Sequence, residues 1–256
     1  MVKGLDKFKD YFNGYADNYI IIGGTACDMI IGAAGFTPRA TRDIDIILIV
    51  EALNKDFVKR FWDFVKEAQY ERTEKSEDGP RYYRFLKPSN AEFPYQVELF
   101  SRMPDLLDGD ESARFTPIPV DDDQSSLSAI LMNDDYYKYT LEHNTKEEEL
   151  QRANVEALIC LKAKAYLDMI DRKGRDEKID EKHIKKHKAD VFRLGAMLAG
   201  NDVFELPKSI QEDMQMFVQV VKDDLPDKAI FKEMGLGNID PSSLLQQLIK
   251  SFALEN

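Results

Sequence analysis

Tyr19-Ile20-Ile21-Ile22-Gly23-Gly24-Thr25 carries a β-branched run straight into two glycines, and Asp43-Ile44-Asp45-Ile46-Ile47-Leu48-Ile49-Val50 follows after a polar approach. The first stretch reads as a buried strand meeting a tight turn. From Thr25 to Ala34 the apolar positions Ala26, Met29, Ile30 and Ala33 have helical spacing, with Gly35 as terminator. The second stretch reads as a strand, polar at its entry and apolar beyond. Strand, glycine turn, helix, strand is the order of a mixed α/β domain.

Within that order the chemistry concentrates at the acid strand. Residues i and i+2 of a strand point to one face, so Asp43 and Asp45 project together. Two adjacent carboxylates repel unless a cation sits between them. Mg²⁺ meets that need, because it prefers hard oxygen ligands and is held by one or two carboxylates plus substrate phosphates. Gly23 and Gly24 lack Cβ atoms and let backbone amides approach phosphates at a helix N-terminus, where Thr25 adds a hydroxyl. A third carboxylate would complete a site able to hold two metals. Glu98, within Tyr95-Gln96-Val97-Glu98-Leu99-Phe100, fits that role. The competing reading makes Asp43 and Asp45 partners of Arg39 and Arg42, and Glu98 a solvent-facing strand residue. The turn is neither a Walker A loop nor a G-x-G-x-x-G.

Working outward, Leu53 to Gln69 reads as an amphipathic helix carrying Phe57, Phe61, Trp62 and Val65. Arg81 to Leu86 and Tyr95 to Phe100 read as an antiparallel strand pair. The polar break Asp121 to Ser126 is the expected boundary between an α/β (α+β) domain over about residues 1–120 and a mostly helical domain over 121–256. In the second half, Glu147 to Ile170 reads as one long helical segment. Lys182 to Leu198 follows with Asp180 as N-cap, then Pro207 to Val221 and Pro241 to Leu254.

The formal net charge of −12 and sequence pI near 4.9 argue against a general, charge-driven nucleic-acid binder. A local basic face remains in Lys182, Lys185, Lys186, Lys188 and Arg193, readable as an RNA-tracking surface or as a solvated helix face. No apolar run approaches the ~20 residues of a membrane span, and Met1 to Asp10 lacks the pattern of a signal peptide, so a cytoplasmic protein is expected. Cys27 and Cys160 lie in apolar stretches and read as buried thiols. His183 and His187, at i and i+4, lack the neighbours that a zinc site needs.

The stretch Ile20-Ile21-Ile22-Gly23-Gly24-Thr25-Ala26, with Arg39-x-Thr41-x-Asp43-Ile44-Asp45-Ile46, resembles the DNA polymerase beta-like nucleotidyltransferase superfamily. It looks most like the AbiEii toxin branch of bacterial toxin–antitoxin systems. Leu161-Lys162-Ala163-Lys164-Ala165 and Lys185-Lys186-His187-Lys188-Ala189-Asp190 are similar to the helical half of that branch. The resemblance implies a mixed sheet with flanking helices, and a helical domain closing over the cleft. It implies transfer of a nucleoside monophosphate from a nucleoside triphosphate on Mg²⁺, with Asp43, Asp45 and Glu98 as catalytic and metal residues. Gly23, Gly24, Thr25, Arg42, Lys162, Lys164 and Asp190 would serve the nucleotide. Lys162 and Lys164 cannot share a helix face, so at most one faces a ligand, and Asp190 has Lys186 one turn before it as an ordinary partner. The implied acceptor is an RNA end such as tRNA, or a small molecule, and the implied protein partner is an antitoxin. Gly24 stands where many active members carry serine, Glu98 where aspartate is frequent, and the loop before Asp43 is long. The competing classes are a binding module with the same fold that has lost its chemistry, and a protein-interaction domain without a ligand.

Overall fold

The computed structural model describes residues 2–75, 82–101, 116–117, 130–131, 133–175, 179–237 and 239–254. The chain forms two compact units that draw on alternating stretches. The first comprises Met1–Asp28, Ala40–Asp121 and Asn144–Ala153, and the second Met29–Arg39, Asp122–His143 and Asn154–Asn256. The polar break Asp121 to Ser126 lies outside the described residues.

The first unit is built on a mixed sheet. Its strands are β1 (Tyr19–Ile22), β2 (Asp43–Leu48), β3 (Tyr70–Lys75), β4 (Tyr82–Pro88), β5 (Gln96–Phe100), β6 (Thr116–Pro117), β7 (Asn144–Glu147) and β8 (Leu150–Ala153). Among the described residues their order is β6-β3-β4-β5-β2-β1-β8-β7. β2 runs antiparallel to β1 and parallel to β5, and β4 runs antiparallel to β5 as the sequence predicts. All four side chains of β1 are buried, which explains its unbroken apolar run at the middle of the sheet.

One sheet face packs on helices α1 (Leu5–Tyr11) and α3 (Lys55–Ala68). Phe8 and Phe12 meet Phe64, while Phe61 lies 5.5 Å from Phe85 and Trp62 6.4 Å from Tyr83, between ring centroids. Truncating one such buried ring costs about 3–5 kcal/mol. The helix α3 starts where the Asn54 side chain accepts a hydrogen bond from the Phe57 amide, and ends at left-handed Gln69. Because strand side chains alternate, burying Tyr83, Phe85, Val97, Leu99, Ile44 and Ile46 on this face sends Arg84, Glu98, Asp43 and Asp45 to the other.

The second unit is helical. Its elements are α4 (Asp134–Glu142), α5 (Val155–Gly174), α6 (Glu181–Gly195), α7 (Lys208–Val221), α8 (Ala229–Met234) and α9 (Pro241–Ser251). The helix between the units' stretches, α2 (Gly23–Ala33), supplies the end of the glycine turn. α5 is the central rod, buried through Leu158, Cys160, Leu161, Ala165 and Met169 and packed on α6 and α7. α6 opens as expected, with the Asp180 carboxylate accepting from the Lys182 amide. Both cysteines are buried thiols outside any disulfide.

The long helix expected from Glu147 to Ile170 is broken in two. The chain turns at Glu148, whose φ is +54°, forms β8, and becomes helical only at Val155. β8 lies parallel to β1, with Arg152 opposite Ile21, so the edge of a fully buried strand is paired instead of exposed. No helix among the described residues is long and apolar enough to cross a membrane.

Candidate active site

The site begins with the turn out of β1. Gly23 takes φ of +66°, and a Cβ there would stand 1.8 Å from Asp45 Oδ2 and 2.8 Å from Asp45 Cγ. The Asp45 carboxylate therefore occupies the space that any side chain at Gly23 would fill. Gly24 is half-buried in the first turn of α2. The Thr25 hydroxyl donates to the Asp43 carbonyl at 2.5 Å, so it ties the start of α2 to the start of the acid strand. Thr25→Val is expected to cost about 1–2 kcal/mol in urea unfolding, the value of a buried bond whose acceptor is left unmet. A loss within 0.3 kcal/mol, roughly the scatter of additive surface changes, would discount the tether.

On the face opposite the aromatic core, the strand register builds a line of charge. Asp45 lies opposite Glu98 across β2 and β5, and Glu98 lies opposite Arg84 across β5 and β4. One step along, Asp43 lies opposite Gln96. Glu98 is 5% exposed, and its Oε1 accepts from Arg84 Nε at 3.2 Å and from Gln96 Nε2 at 2.6 Å. Burial pushes the Glu98 carboxyl well above the ordinary range, and the Asp45 charge pushes it the same way. The Arg84 guanidinium pulls back, while a side-chain hydrogen bond with Asp45 and the charge of Asp43 raise it further. Asp43 and Asp45 are half-buried, with Ile44 buried between them. Arg42 is exposed at the entry of the strand.

No group of three or more histidine, cysteine, aspartate and glutamate side chains among the described residues is gathered as a preformed metal centre. Mg²⁺ asks for less, since one or two carboxylates suffice when substrate phosphates and waters complete the shell. Asp43 and Asp45 form such a donor pair, and Gly23 leaves room for the Asp45 oxygen. The residues present therefore fit the ion. Arg84 and Gln96 are the participants that sequence reasoning missed. The alternation Tyr83-Arg84-Phe85 marks Arg84 as facing away from the core, but only the register shows that it meets Glu98.

The second unit gathers a different cluster. Asp190, 2% exposed on α6, accepts from Arg39 Nε at 2.9 Å and from Arg39 Nη2 at 3.0 Å, a bidentate pair. Arg193 Nη1 donates to the same carboxylate at 3.3 Å, and Lys162 Nζ stands 3.4 Å from Oδ2. Burial alone would raise this carboxyl, but the charges of Lys162 and Arg39 outweigh it and hold it far below the usual carboxylate range. Lys162 therefore faces Asp190, whereas Lys164 turns to Asp213 at 2.7 Å, whose other oxygen accepts from the Tyr136 hydroxyl. The basic face between Lys182 and Arg193 does not stay together. Lys188 is buried against Asp224, and Arg193 is committed to Asp190 and Glu233.

No family model matches the chain, and no curated protein matches it in sequence. Among solved structures, the chain is similar to an antigenic nucleotidyltransferase-like protein from Paracoccidioides brasiliensis, at 14% identity. The TM-score is 0.43, over 89% of this chain and 97% of that one. A likeness of that degree decides nothing about the site, whose reading rests on the side chains just described.

Proposed function

We propose that this chain is a Mg²⁺-dependent nucleotidyltransferase that moves a nucleoside monophosphate from a nucleoside triphosphate to an acceptor hydroxyl. The observation that carries this reading is the line of Asp45 and Glu98 on facing positions of adjacent parallel strands, beside a glycine turn that makes room for the Asp45 oxygen. In the transfer, the acceptor oxygen forms a new ester bond to the α-phosphorus. The bond from that phosphorus to its bridging oxygen breaks, and pyrophosphate leaves with the electron pair. Glu98 takes the acceptor's proton, for which burial and the neighbouring Asp45 charge raise its affinity. Asp43 and Asp45 would hold the ion, which when bound supplies positive charge to offset the phosphate oxygens. The amides at the start of α2 would seat the phosphate tail. Neither helical lysine that the resemblance assigns to the nucleotide stands uncommitted, since Lys164 pairs with Asp213 and Lys162 is buried against Asp190.

For the acceptor, the toxin-like resemblance favours an RNA end such as tRNA, with an antitoxin as protein partner. A small hydroxylated molecule suits the acidic chain equally well. The inward turn of Lys188 and Arg193 removes two of the cations on which an RNA-tracking α6 would rely. If RNA is the acceptor, its binding should weaken steeply between 50 and 200 mM salt.

A second reading has one observation behind it. The contact of Glu98 with Asp45, together with Gly24 in the place of serine, suits a nucleotide-binding module that has lost its chemistry. Isothermal titration of the full chain with each NTP, with and without Mg²⁺, tests the shared claim. Mg²⁺-dependent binding that disappears in Asp43→Asn is the expected result, and no binding to any NTP would refute it. Pyrophosphate release from the binding NTP in the presence of acceptor then separates enzyme from module.

A further inference from the structure

We infer that Arg84 is a positioning residue for the acid line: with the Gln96 amide, its guanidinium fixes where the Glu98 carboxylate stands beside Asp45. The inference rests on the reading of Asp43 and Asp45 as holders of a divalent cation. Glutamate has three rotatable bonds, and a long acid serves a metal site or a proton transfer only when something outside the site fixes it. Here two donors converge on one oxygen from different directions. Arg84 reaches Glu98 Oε1 from the neighbouring strand, and Gln96 reaches it from two residues earlier on Glu98's own strand. The register leaves no slack, because Arg84, Glu98 and Asp45 stand opposite one another across β4, β5 and β2.

The location of this network also needs a reason. The Arg84 side chain is only 11% exposed and that of Glu98 6%. Burying such a pair costs desolvation that an apolar pair of similar volume would avoid. The opposite face of the same strands shows the apolar alternative in Tyr83, Phe85, Val97 and Leu99, all fully buried. A buried ion pair on the acid face is therefore not required by folding, whereas holding Glu98 next to Asp45 accounts for both of its members and for Gln96 beside them.

The sign of the effect separates an anchor from a bystander. A guanidinium that merely sits nearby repels a divalent cation, so its removal would tighten cation binding. Removal of an anchor loosens it. The test is calorimetric titration of the full chain with preformed Mn²⁺–NTP, against the same NTP without metal, with apo melting curves alongside. Arg84→Met is expected to weaken Mn²⁺ binding about tenfold, within the range known for groups that orient metal ligands. Arg84→Lys should not restore it, because an ammonium keeps the charge but not the fork. Gln96→Leu, which changes no charge, should weaken binding in the same direction, and it decides the matter alone if Arg84→Met does not fold. Unchanged or tighter binding in Arg84→Met and Gln96→Leu, or full rescue by lysine, would overturn the inference. The parent reading fails separately: wild-type chain that binds no Mn²⁺ with ATP, GTP, CTP or UTP refutes the metal site itself.

Discussion

Gly23→Ala is expected to abolish Mg²⁺-dependent nucleotide binding while leaving a folded protein. Two effects act at this residue and differ in kind. An L-residue at φ of +66° pays about 1–2 kcal/mol for the left-handed conformation, which lowers stability without unfolding a chain of this size. The larger effect is steric and local. The new methyl would stand 1.8 Å from Asp45 Oδ2 and 2.8 Å from its Cγ, so the carboxylate must swing out of the acid line. Urea unfolding would report the first cost and calorimetric titration with Mg²⁺ and NTP the second. In urea unfolding, a double-mutant cycle with Asp45→Ala isolates the clash, because the alanine removes the carboxylate atoms that collide. If Gly23→Ala binds nucleotide as the wild type does, Asp45 is not a ligand in the position described.

That residue also shows what a sequence can and cannot convey. Two glycines after a β-branched run announce a tight turn, and the acid strand announces a site. Neither tells which glycine is indispensable, because that depends on Asp45 folding back across β1 and β2. Elements with strong periodicity were legible. β1, α2, β2, α3 and the β4–β5 pair stand where their apolar spacing places them. The β7–β8 hairpin was not, because Leu150-Gln151-Arg152-Ala153 continues smoothly into the spacing of α5. Its strand character comes from docking on the edge of β1, a tertiary demand that local pattern does not carry.

The candidate site was legible in its acids and opaque in its cations. Asp43, Asp45 and Glu98 declare themselves through alternation, since a carboxylate inside an apolar strand demands explanation. Arg84 and Arg39 look like ordinary surface arginines in sequence, and their partners lie on other elements. Lys162 and Lys164 could not be told apart until α6 and α7 were in place, when one faced Asp190 and the other Asp213. The i,i+4 reading of Asp190 with Lys186 gave way for the same reason: a bidentate arginine and a buried lysine reach Asp190 from outside its own helix.

Asp190→Asn should be the most destabilising single polar substitution in the second unit, by about 3–5 kcal/mol. The carboxylate is the shared counter-charge of Arg39, Arg193 and Lys162, and Lys162 and Arg193 are themselves buried. An amide of the same shape keeps the packing, but it leaves the buried Lys162 ammonium without its counter-charge and takes one of two carboxylates from Arg193. Arg39 is partly solvated and Arg193 keeps Glu233, so the cost falls mainly on Lys162. Acidity gives an independent check. The folded carboxyl is held below its unfolded value, near 3.9, so its contribution is fully present above that pH and fades as the pH falls towards the folded value. Wild type and Asp190→Asn should therefore differ throughout the range above the unfolded value, and converge as acid titrates the wild-type group. A difference below 1 kcal/mol at neutral pH would mean that the cations find other acceptors once the carboxylate is gone. A difference that widened on acidification would contradict the depressed value and, with it, the account of Asp190 as the charge that holds this cluster together.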